Sequence, residues 1–212
     1  MNGSLRVTML SKKDKSRFIA LMSSAFSRDP LFLHLFGDPA HSQAALKEME
    51  CFFSFMFDKS FFLHEEVWGL IECQTLLGAY IVEKPNASGR QKVKGTARLV
   101  GRLLPLLFQI RSSSIRFLNS YMKLSRSTAP SWPHHYLIMI GVSEDARGKG
   151  IGGALLNHLL ANVYADPHTN GVALDTENKT NIALYKKFGF ELNHETRLNG
   201  LPIYCMALQK RK

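Results

Sequence analysis

The chain is poor in cysteine, poor in structure-breaking residues, and without acid over a long central stretch. It has 3 Cys among 212 residues. Three thiols cannot all pair with each other, and none stands in a CxxC or Cys/His ligand spacing. This excludes a disulfide framework and a zinc site, so Cys51, Cys73 and Cys205 read as reduced core thiols. Only 15 Gly and 8 Pro occur, against 14 Phe and 6 Tyr, which excludes a collagen-like or disordered chain. No apolar run reaches the roughly 20 residues of a membrane-spanning helix. The run Leu103–Phe108 is interrupted by Pro105 and flanked by Arg102 and Arg111. The opening residues MNGSLRVTML carry no apolar run of signal-peptide length, and the expected location is the cytoplasm.

Acid is missing in one place. From Lys84 to Ser143 there is no Asp or Glu, while ten basic residues occur there, among them Lys94, Arg98, Arg102, Arg111 and Arg126. The rest of the chain balances at 17 basic and 17 acidic residues, so the formal charge of +10 belongs to this window alone. A charge so confined is a local feature and not a general polyanion-binding surface.

The length fits one domain over 1–212, and the 45% apolar content allows a sizeable core. Leu5–Leu10 reads as a strand, and Ser16–Phe26 as a helix ended by Asp29-Pro30. His41–Phe62 reads as a helix whose phenylalanines face the core. Val67–Cys73 and Thr75–Glu83 read as a hairpin turning at Gln74. Lys92–Ser127 reads as a basic amphipathic helical region bent at Pro105, which makes an insert of about 87–130. Tyr136–Val142 and Gly171–Thr176 are apolar runs typical of buried strands. Ile151–Tyr164 and Asn181–Phe188 have helical periodicity, and Glu191–Arg197 and Ile203–Leu208 flank a turn at Asn199-Gly200. This order predicts an α/β (α+β) protein with a single mixed sheet and helices on both faces.

The segment Arg147-Gly148-Lys149-Gly150-Ile151-Gly152-Gly153 lies between a buried strand and a strong helix. Glycines permit positive φ and close backbone approach, and free amides at a helix start attract anions. Two cations beside them make a phosphate or pyrophosphate cradle. A P-loop does not fit, because the spacing after Gly148 is wrong. A dinucleotide fingerprint is formally present as Gly148, Gly150 and Gly153, but Asp166 precedes the next strand instead of ending it, and about 60 residues are too few for the domain to follow.

The remaining pattern is Arg-x-x-Gly-x-Gly at Arg147, Gly150 and Gly152. Here the sequence resembles the GNAT superfamily of N-acetyltransferases and its acetyl-CoA pyrophosphate motif. A second block agrees in order and spacing: Leu174-Asp175-Thr176, then Asn181-x-x-x-Tyr185-x-x-x-Gly189-Phe190. His134-His135-Tyr136-Leu137, Ile140-Gly141-Val142, Tyr204-Cys205-Met206 and the early Ala25-Phe26 with Asp29-Pro30 also resemble the subgroup containing puromycin acetyltransferase. The resemblance implies the GNAT fold, a mixed and mostly antiparallel sheet of six or seven strands, splayed at a central parallel pair.

It further implies direct acetyl transfer from acetyl-CoA to an amine, with no acyl-enzyme and no metal. The backbone of Ile140, Gly141 and Val142 would line the pantetheine arm, and amides from Arg147 to Gly153, including Gly148, Lys149, Gly150, Ile151 and Gly152, would hold the pyrophosphate. Asn181 would bond the cofactor arm, and Tyr185 would be the general acid. His134 and His135 enter the central strand on opposite faces and are candidate bases, since imidazole titrates near neutral pH. Glu83, at a strand end, is another; a water chain is a further route. The expected acceptor is a primary amine of a small molecule, and the expected state a monomer or homodimer. Acetylation of protein N-termini or lysines is an alternative, as is an idle CoA-binding or nucleic-acid-binding module. No recognition motif accompanies the basic window's aromatic residues.

Overall fold

The computed structural model describes residues 5–85 and 109–211. Seven strands form one sheet in the order β1-β2-β3-β4-β5-β7-β6. They are β1 (Arg6–Met9), β2 (Glu66–Glu72), β3 (Thr75–Glu83), β4 (His135–Val142), β5 (Gly171–Thr176), β6 (Glu191–Leu198) and β7 (Leu201–Gln209). The helices are α1 (Lys15–Ala25), α2 (Pro30–Phe36), α3 (Gln43–Leu63), α4 (Ser112–Ser127), α5 (Ile151–Ala165) and α6 (Lys179–Lys187).

All strand pairs are antiparallel except β4 with β5. That parallel pair is short. It runs through His135↔Val172, Tyr136↔Ala173 and Leu137↔Leu174 and then stops. Beyond it β4 continues against β3 as far as Val142, and β5 continues against β7 as far as Thr176. The two central strands therefore diverge and leave one edge of Ile138–Val142 without a strand partner. This is the fold that the sequence pattern predicts.

Side-chain alternation splits the core across the sheet. On one face Ala79 and Ile81 pack with Phe18, Phe32, Phe53 and Phe57 of α1–α3 and with Phe117 and Tyr121 of α4. The rings of Phe32 and Phe53 stack at 5.0 Å. On the other face Tyr80, Val82, Leu137 and Leu174 meet Leu155, Leu156, Leu159 and Val163 of α5 and Tyr185 of α6.

Several sequence expectations change. Asp29-Pro30 ends α1 but also starts α2, a helix the periodicity did not show. Asp29 accepts the Leu31 amide at 2.9 Å as N-cap, and Pro30 occupies the first helical turn, where its missing N–H costs nothing. Cys73 is not a core thiol: it is exposed, at φ 46, in the turn with Gln74 at φ 68. Cys205 is buried and accepts a hydrogen bond from Thr128 at 2.9 Å. Within the expected basic insert, α4 accounts for Ser112–Ser127; Lys94, Arg98, Arg102 and Pro105 lie outside the described residues. The basic window is also partly neutralised from elsewhere. Lys84 pairs with Glu66, Arg111 with Glu48, and Arg126 with Glu83.

Candidate active site

The open edge of β4 leads directly into the glycine-rich turn and α5. Gly148 (φ 74) and Gly150 (φ 78) are left-handed, and a Cβ on either would meet no atom within 4 Å. The conformation, not crowding, demands glycine there, and the space above the backbone is open to a ligand. The Ala154 amide bonds Gly150 O at 2.9 Å. The amides of Gly150, Ile151, Gly152 and Gly153 have no backbone acceptor among the described residues. They form the positive end of a 15-residue helix. Lys149 is exposed, and the exposed Arg147 reaches back to Ala25 O at 3.0 Å, which ties the turn to the end of α1. This geometry fits a pyrophosphate.

Gly141 serves a different need. A Cβ there would sit 2.7 Å from Met22 Sδ and 3.1 Å from Ala25 Cβ. Helix α1 thus packs on the sheet face directly over Gly141, beside the open edge of Ile140, Gly141 and Val142. Asn181 stands at the start of α6, with its Nδ2 donating to Thr176 Oγ1 at 3.1 Å. Tyr185, one turn later, is 6% exposed and packs on Phe190 at 5.7 Å. Its hydroxyl makes no hydrogen bond among the described residues. Burial, with Asp175, Glu177 and Asp29 nearby, raises its pKa and keeps the phenol protonated.

The structure does not gather the three candidate bases at the strand opening. His135 is 1% exposed at the closed end of the parallel pair, with Nε2 2.8 Å from Asp166 Oδ2 and Nδ1 without a partner. Protonating Nδ1 would bury an unsatisfied donor, and burial lowers the His135 pKa. His134 faces the other way. Its Nδ1 lies 2.8 Å from Trp132 O and its ring beside Tyr136. Glu83 pairs with Arg126 Nη2 at 2.7 Å.

One group of residues escaped the sequence reading. Tyr121 of α4 bonds both Asp175 and Glu177, and Tyr136 of β4 bonds Asp175 as well. Burial pushes Asp175 up to about 6 and Glu177 up to about 8. Asp29, at the start of α2, is raised to about 6 by burial and adds to the repulsion on Glu177. A lone Asp in the apolar strand Gly171–Thr176 was the available signal. Among the described residues, no group of three or more His, Cys, Asp or Glu is arranged to hold a metal ion. Nor is any described helix long and apolar enough to cross a membrane.

Residues 121–192 match the family model described as the acetyltransferase (GNAT) domain. The matched segment carries β4, the glycine-rich turn, α5, β5 and α6, so the likeness to that domain covers the candidate site. No curated protein matches the chain. A Corynebacterium glutamicum structure described as histone acetyltransferase HPA2 and related acetyltransferase superposes with a TM-score of 0.67 at 21% identity, over 100% of this chain and 99% of that one. The ribosomal-protein-alanine N-acetyltransferase of Brucella melitensis gives 0.57 at 14% identity, over 97% and 100%. Arabidopsis thaliana Naa50, in complex with the bisubstrate analogue CoA-Ac-MVNAL, gives 0.52 at 16%, over 98% and 99%.

Proposed function

We propose that the protein is an acetyl-CoA-dependent N-acetyltransferase that moves the acetyl group directly to a primary amine of a small molecule in a ternary complex. The observation that carries this is the cradle of unpartnered amides at Gly150–Gly153, placed where the open edge of β4 ends. Acetyl-CoA supplies an acetyl group already activated as a thioester. The chain binds its pyrophosphate with the amides and cations of Arg147–Gly153, and its arm with the edge of Ile140–Val142 and with Asn181. A backbone amide on that edge is the donor that stabilises developing charge on the thioester oxygen. Tyr185 holds a proton at its hydroxyl for the departing sulfur.

The small-molecule acceptor is supported by the resemblance of His134–Leu137 and Tyr204–Met206 to the puromycin acetyltransferase subgroup. The second reading is a protein N-terminus as acceptor, which the names of the Brucella and Arabidopsis structures favour. The basic residues Lys94, Arg98 and Arg102 belong to an insert of about 87–130 and attract the anionic cofactor. Neutralising all three raises the KM for acetyl-CoA at low salt, and an unchanged KM sinks that role.

A panel of small primary amines and N-terminal peptides, read by CoA release, tests the whole reading. Turnover of small amines supports it; turnover of peptides alone favours the second reading. Salt-dependent DNA binding with no CoA release would replace both with a binding module.

A further inference from the structure

The proton that the acceptor amine must lose has no seat among His134, His135 and Glu83. Each of these is already engaged, with the Trp132 carbonyl, Asp166 and Arg126 respectively. Glu177 is placed differently. It follows the last residue of β5, where β4 and β5 have parted, and precedes the α6 residues Asn181 and Tyr185. It is close enough to Tyr185 to repel a charge on its phenol.

The hydrogen bonds around Glu177 constrain its protons. Tyr121 has one hydroxyl proton and two carboxyl partners, Asp175 and Glu177, so it cannot donate to both. Asp175 already receives the Tyr136 hydroxyl and lies under the influence of Arg126, which favours its charged form. The consistent arrangement puts the Tyr121 proton on the Asp175 side. Glu177 then carries the exchangeable proton and shares it with the Tyr121 oxygen. Asp29, the N-cap of α2, opposes charge on Glu177.

We propose that Glu177 is the proton acceptor for the substrate ammonium, held in place by Tyr121 and Asp175, and that Asp29, Asp175 and Glu177 together select a cationic amine over an anionic one. This rests on the acetyltransferase reading above. In the step, Glu177 has first released its exchangeable proton to water; one N–H bond of the ammonium then breaks and an O–H bond forms on the Glu177 carboxylate. The electron pair left on nitrogen is the nucleophile, and the proton later leaves Glu177 for water. Burial raises the Glu177 pKa to about 8, which sets its affinity for that proton close to the working pH. Glu177 is the catalytic residue in this scheme; Tyr121 and Asp175 are positioning residues.

The test uses the full chain, acetyl-CoA, and the small primary amine that the wild type turns over fastest, with pH profiles of kcat/KM from pH 6 to 10. Glu177→Gln is expected to lower kcat/KM about 100-fold or more near pH 7. It should also abolish the acid limb and leave the acetyl-CoA Kd within about twofold of wild type. Tyr121→Phe brings the two carboxyls together without their shared hydroxyl and moves the acid limb to higher pH; this variant carries the test if Glu177→Gln does not fold. Adding a carboxylate to the amine is expected to raise KM more in wild type than in Glu177→Gln. An acid limb that stays in place in both variants overturns the proposal, even if their melting temperatures drop. Absence of CoA release with every amine, despite acetyl-CoA binding to wild type, overturns the acetyltransferase reading and the proposal with it.

Discussion

The Arg126 guanidinium lies 3.6 Å above the centre of the Tyr136 ring. The same side chain holds Glu83 at 2.7 Å, so one arginine of α4 spans β3 and β4 on the face that also carries Asp175. A cation over an aromatic face contributes about 0.5–2 kcal/mol. Arg126→Gln is therefore expected to lower stability by about 1–2 kcal/mol in chemical denaturation. Arg126→Lys recovers less than half of that loss, because an ammonium cannot stack its plane on the ring. Full recovery by lysine would show that charge alone matters.

Gly150 and Gly152 separate conformation from ligand contact. Gly150 is left-handed, and Gly150→Ala should cost about 1–2 kcal/mol of stability. Gly152 has ordinary space, its Cβ meeting Val142 Cγ2 at 3.6 Å, so Gly152→Ala should leave stability unchanged or slightly raised. Both methyl groups stand beside the free amides, and both variants are expected to weaken acetyl-CoA about tenfold by titration, equal to about 1.4 kcal/mol. Unaltered affinity in both would remove the pyrophosphate from this turn.

Tyr185→Phe removes one oxygen that makes no hydrogen bond among the described residues, so the melting temperature should hardly move. The proton donor is lost with it, and kcat should fall about 100-fold or more while the acetyl-CoA Kd stays constant. Turnover equal to wild type would refute the acid role.

His135 supplies a pH dependence with a definite sign. Its folded pKa lies below the unfolded value of 6.5, because burial disfavours the charged ring and Nδ1 has no acceptor. Below that value the unfolded chain binds the proton that the folded chain refuses, so stability falls as pH drops through 6.5. The raised carboxyls Asp175 and Glu177 act in the opposite sense, gaining stability as pH falls. The measurement is the difference between wild type and His135→Gln, whose amide can still donate to Asp166. Denaturation midpoints should diverge between about pH 7 and about pH 5, with the variant less acid-sensitive. Parallel midpoints would mean that His135 titrates alike in the folded and unfolded chain, and divergence in the opposite sense that it is charged in the folded protein.

What the sequence discloses follows the range of each signal. The cradle at Arg147–Gly153 and the block from Asn181 to Phe190 are local chemistry on consecutive residues, and the buried strands β4 and β5 are short apolar runs. All are legible without knowing what packs on them. Helix α2 is not, because seven residues are too few for a period and Pro30 looks the same as a breaker or as a first-turn residue. The Asp175, Glu177 and Tyr121 group is not legible either. Tyr121 comes from α4 and the carboxyls from β5 and its exit, more than 50 positions later. The basic window misleads for the same reason, since the acids that neutralise Lys84, Arg111 and Arg126 lie before it in the chain.

The 2.7 Å approach of Met22 Sδ to the missing Cβ of Gly141 also bears on how such a protein can change its acceptor. Helix α1 and strand β4 are locked together there, so a new side chain on that face of α1 would displace the edge expected to hold the cofactor. The boundaries with more freedom are α2 and α4, apart from Tyr121 and Arg126 of α4, which hold the carboxyls and Tyr136. New acceptor preferences should arise by substitution in those two helices, with α1 retained as a fixed wall.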